Sequence, residues 1–89
     1  MGLEEGMRLD LVVQQVFDML SEVRLGSVVA VWRDGGVSSH RDLGFRYRVL
    51  PSGEREEPVV TFLANNEARS VDMIRERILK ASGPTELNG

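Results

Sequence analysis

Cysteine is absent from the sequence, histidine and lysine occur once each, and no apolar run approaches the length of a membrane span. Each scarcity removes a class of function. Without cysteine there is no disulfide, no thiolate nucleophile and no Cys-ligated zinc, and a small domain without such staples suits a reducing compartment. With His40 as the single histidine, acid-base work near neutral pH would fall to that residue alone, and His40 with Asp42, two apart, could hold a metal only in part. Glu4 and Glu5 stand where a secretory leader would be basic, and Gly6 stands where N-myristoylation requires Ser or Thr. The expectation is a cytoplasmic protein that does not enter a membrane.

The chain has 89 residues, too few for two independent cores, so residues 1–83 are expected to form one domain and 84–89 a loose tail. A domain of this size hides only about 60 to 65 % of its unfolded surface, and self-association is a common way to hide more. A homodimer is therefore expected.

The net charge of −3 argues against generic capture of polyanions, but the charge is unevenly placed. Glu4, Glu5, Asp10, Asp18 and Glu22 face only Arg8 in the first part of the chain. Arg24, Arg33, Arg41, Arg46, Arg48 and Arg55 then outnumber Asp34, Asp42 and Glu54, and the remainder is acidic again. A basic middle between acidic flanks fits specific pairing better than bulk attraction.

Leu9, Val12, Val13, Val16, Phe17, Met19, Leu20 and Val23 fall within an arc of about 160° at 100° per residue, which predicts an amphipathic helix stopped by Gly26, with Leu11 stranded on the polar side. Ser27 to Arg33 is rich in β-branched residues and runs into Asp34-Gly35-Gly36, a strand and a hairpin turn. Phe45 to Val49 alternates and predicts a second strand, with Gly44 as a bulge; Ser38 to Leu43 is open between strand and loop. Pro51-Ser52-Gly53 predicts a second turn and Pro58 to Leu63 a third strand. A second helix follows, with Asn65 or Asn66 as N-cap, an apolar stripe of Ala68, Val71, Ile74, Ile78 and Leu79, and Gly83-Pro84 as its end.

The predicted fold is therefore α+β, in the order helix-strand-strand-strand-helix: an antiparallel meander of three strands, with a fourth left open, and both helices on one face. Phe45, Tyr47 and Val49 are expected to face the helices. Arg46 and Arg48 would then lie on the open face beside Val29, Val31, Thr61 and Leu63, either as a contact surface or as ordinary solvated arginines. The helix-strand-strand-strand-helix order is shared with the double-stranded-RNA-binding domain, which His40 to Val49 resembles in placing a histidine ahead of an aromatic strand. The lysine-rich start of the last helix that clamps phosphates in those domains is replaced here by Asn65-Asn66-Glu67-Ala68-Arg69, so the likeness is one of topology only.

No catalytic centre is expected. Ser38, Ser39, His40 and Asp42 hold the residue types of a hydrolase triad, but a working triad assembles its members from separate segments beside an oxyanion site. Asp34-Gly35-Gly36 lies between strands, whereas a phosphate cradle precedes a helix. The expected role is a non-catalytic interaction module of adaptor, chaperone or inhibitor type, binding an acidic protein partner through Arg33, Arg41, Arg46 and Arg48, with no cofactor or metal. Trp32 is expected to close the core edge beneath a helix; if partly exposed it would instead anchor the interface. The competing expectation is RNA binding through the arginine-bearing sheet face.

Overall fold

Residues 2–64 and 70–82 are described by the computed structural model, with side chains from residue 8 onward. The expected N-cap at Asn65 or Asn66, Ala68 of the second stripe, and the tail lie outside the described residues. Helix α1 spans Gly2–Glu22 and begins well before the periodicity at Leu9. It buries Leu9, Val12, Val13 and Val16 completely or nearly so, and half-buries Phe17, Met19, Leu20 and Val23. The broad apolar arc is thus covered within the chain. Leu11 remains 65 % exposed on the far side. Gly26, with φ of 91°, takes the left-handed turn out of the helix, where its N–H donates to the Ala64 carbonyl at 3.3 Å.

Five strands follow: β1 (Val28–Val31), β2 (Val37–His40), β3 (Arg48–Val49), β4 (Arg55–Glu56) and β5 (Val60–Leu63). Helix α2 (Val71–Ser82) closes the chain, capped by Ser70, whose Oγ accepts the Met73 N–H at 3.2 Å. The α+β class, the two flanking helices and a three-stranded antiparallel sheet are as the pattern predicts, and a second sheet of two strands accompanies it. Which strands pair differs. β1 is central, with β2 on one edge and β5 on the other, while β3 and β4 form a separate small hairpin. Consecutive neighbours therefore do not run across the sheet as a simple meander. The unbroken apolar run Val28-Val29-Ala30-Val31 suits a strand buried on both faces, and all four residues are buried.

Helix α1 packs over β1 and β2, and α2 over β5 and against α1, so both helices cover one face. Val29, Val31 and Phe62 point into that layer against Val13, Val16, Ile74 and Ile78. By alternation Val28, Ala30 and Trp32 point the other way. An ion pair between Arg75 and Asp10 ties the helices, and Arg77 lies 4.4 Å from the Phe62 ring centre while donating to the Thr61 carbonyl.

Candidate interaction surface

The face of the sheet opposite the helices is not open. Residues 41–50, the link between the two sheets, fold over it, and Phe45 seats its ring 5.7 Å from Trp32, edge to face, and 3.5 Å from His40, stacked at 11°. Phe45 thus covers the sheet face away from the helices, contrary to the orientation that alternation suggests. Only Arg48 and Val49 of the alternating stretch pair as strand. Gly44 is no bulge: its N–H donates to Asp42 Oδ1 at 2.8 Å, and the Phe45 N–H to the Asp42 carbonyl at 3.0 Å, an aspartate-centred turn. Val29 and Val31, assigned by pattern to the arginine face, lie with the helices.

Beneath Phe45 the polar atoms are matched. Trp32 Nε1 donates to Ser38 Oγ at 2.8 Å, and Ser38 Oγ lies 3.2 Å from His40 Nε2. Ser38 and His40, two apart on β2, share a face and meet as a dyad. Asp42 forms no hydrogen bond with either among the described residues; its Oδ1 accepts the Gly44 N–H.

Arg48 spans the top of this stack. Its guanidinium lies 4.5 Å from the Trp32 ring centre, with Nε donating to Glu56 at 2.7 Å and Nη2 to Asp34 at 3.0 Å. Desolvation opposes the charge on Arg48, but hydrogen bonds to Glu56 and Asp34 outweigh it and raise its pKa. The Gly36 N–H, followed by Arg48, holds the Asp34 carboxyl below its ordinary value. Arg48 is consequently occupied in joining the β1–β2 turn to the small hairpin. Trp32 is 2 % exposed, buried as the first of its two readings has it, though under Phe45 and Arg48 rather than beneath a helix.

The remaining candidates are exposed and separate from one another. Arg33 borders a groove with Leu50, Glu54, Pro58 and the end of α2. Arg41 borders a small cleft with Arg24 and His40. Arg46 lines an open groove of about 760 Å³ with Gly44, Tyr47, Arg55 and Glu57. Around this last groove the sequence reading missed the main features. Leu43 is 59 % exposed, Val49 65 % and Tyr47 36 %, and Arg55 lies 4.7 Å from the Tyr47 ring centre. The signal for their exposure is Asp42-Leu43-Gly44, whose turn chemistry interrupts the strand pattern that would place Tyr47 and Val49 inward.

Among the described residues no helix is long and apolar enough to cross a membrane, and no three His, Cys, Asp or Glu side chains are grouped to hold a metal. Comparison of the chain with protein-family models, curated proteins and solved structures found no match.

Proposed function

We propose that this protein is a non-catalytic interaction module of the cytoplasm, a homodimer joined through the exposed apolar groups of residues 41–57, with the neighbouring arginines left to engage an acidic protein partner. The observation that carries this reading is the exposure of Leu43, Tyr47 and Val49 on the link that bears Arg46, beside Arg55 of β4. The link has an inner side, where Phe45 and Arg48 are spent on Trp32, and an outer side whose large apolar groups are uncovered. Apolar anchors beside guanidinium groups are the composition of a protein contact, the arginines choosing carboxylates and the apolar groups supplying the burial. The helix arcs lend no support to dimerisation, because the chain's own core covers them; the support comes from the link.

A second reading, RNA binding, has one observation in its favour: Tyr47 lines an open groove with Arg46 and carries the Arg55 guanidinium over its ring, an aromatic and arginine pairing that single-stranded bases stack on. Light scattering with size-exclusion chromatography over a tenfold range of salt, with absorbance followed at 260 and 280 nm, separates the two. A dimer that persists in high salt and carries no nucleic acid is expected. A monomer that sheds bound nucleic acid as salt rises would transfer the surface to the second reading.

A further inference from the structure

A separate cleft of about 320 Å³ opens where α1 ends and the β1–β2 sheet begins, lined by Glu22, Val23, Arg24, Ser27, Ser39, His40 and Arg41. Two features set it apart from ordinary surface relief. Arg24, just past α1, and Arg41, just past β2, are both exposed and neither forms an ion pair among the described residues, although Glu22 lines the same cleft. Ser27 lines the cleft although the residue is 3 % exposed, and its hydroxyl has no hydrogen-bond partner among the described residues. A hydroxyl without a protein partner beside two guanidinium groups outside any ion pair is a donor set that suits an acceptor-rich anion.

We infer that this cleft binds the phosphate group of a small phosphomonoester. Two guanidinium groups and the hydroxyls of Ser27 and Ser39 offer more donors than the two oxygens of one carboxylate accept, whereas a phosphate monoester brings three terminal oxygens and close to two negative charges. The cleft volume lies at the lower end of small-molecule sites, which fits a compact phosphorylated metabolite. His40, its Nε2 against Ser38 and its ring on Phe45, forms a fixed wall. Glu22 and the carbonyl end of α1 oppose an anion, so the two arginines must overcome them, and removing the Glu22 charge must tighten binding. The inference is independent of the 41–57 surface.

The test is a titration of the full chain with inorganic phosphate, then with glycerol phosphate, at constant ionic strength, following backbone amide resonances by NMR. Saturable shifts at Ser27 and at Ser39 to Arg41 are expected, absent with chloride. Arg24→Gln and Arg41→Gln should each weaken binding about fivefold or more, and Glu22→Gln should strengthen it. Neither guanidinium group has a partner among the described residues, so both variants should melt as the parent does. Shifts that never saturate, that chloride reproduces, or that survive loss of both arginines would overturn the site. An RNA strand that moves these amides further than glycerol phosphate at equal phosphate would overturn the small-ligand assignment.

Discussion

The Arg48 guanidinium lies over the Trp32 ring, 4.5 Å from its centre, and from that position reaches Glu56 on one side and Asp34 on the other. One side chain thereby closes the aromatic layer beneath it and joins the β1–β2 turn to the β3–β4 hairpin. Arg48 is 31 % exposed as a side chain, which screens the ion pairs, so Arg48→Ala is expected to lower the urea midpoint through loss of the cover over Trp32 more than through loss of charge. Arg48→Lys should recover less than half, because an ammonium cannot fork between two carboxylates while lying flat on an indole. Urea unfolding followed by the Trp32 emission gives both values. The same variants should leave self-association unchanged.

Ser38→Ala leaves the Trp32 Nε1–H without its acceptor in a buried position, at an expected cost of about 1 to 3 kcal/mol. His40→Ala removes a stacked ring but orphans no donor of Trp32, so it should cost less through that contact. A thermal melt of each variant, compared under one buffer, checks the order.

The Asp34 carboxyl is held below its ordinary value of 3.8 first by the Gly36 N–H and then by Arg48. A depressed folded-state pKa contributes stability that is complete above the unfolded value and declines as pH falls through the folded one. The parent should therefore lose stability below about pH 4 more steeply than Asp34→Asn, whose amide oxygen still accepts the Gly36 N–H but carries no charge for Arg48. Urea midpoints measured between pH 2 and 6 would show parallel acid limbs if Asp34 were not linked to folding.

Gly35 has φ of 88°, and a Cβ there would stand 3.3 Å from Arg8 Nε, in the side chain that donates to the Asp34 carbonyl. Gly35→Ala is expected to destabilise by about 1 kcal/mol or more through backbone strain alone. A variant as stable as the parent would mean that the turn changes its conformation, which the amide resonances of residues 32–37 would reveal.

What could be read from the residues follows the range of the interactions that decide them. The helices, the β1 strand and the Asp34-Gly35-Gly36 turn are set by neighbours a few positions apart, and the sequence pattern found them. The Pro51-Ser52-Gly53 turn was also legible, with Gly53 at φ of 93°, but the strands it joins are the two-residue β3 and β4 rather than the two long runs on either side. Nothing local says that Val60–Leu63 passes that hairpin and pairs with β1. Phe45, Tyr47 and Val49 alternate as a strand would, yet Phe45 packs on Trp32 and His40 while Tyr47 and Val49 are exposed, a split that alternation does not show. For the candidate site, alternation puts Arg46 and Arg48 together on an open sheet face, whereas Arg48 lies over Trp32 and Arg46 lines a groove without it. The Arg24 and Arg41 cleft was invisible, because only the pairing of β2 with β1 brings the two arginines to one opening.

The most direct measurement is sedimentation equilibrium of the parent and of a Leu43→Asp, Val49→Asp double variant at matched concentrations. Both side chains are exposed, so the variant should fold and melt as the parent does. The expected result is a dimer for the parent and a monomer for the variant. A parent that remains monomeric at all accessible concentrations, or a double variant that dimerises equally well, would contradict the assignment of residues 41–57 as the interaction surface.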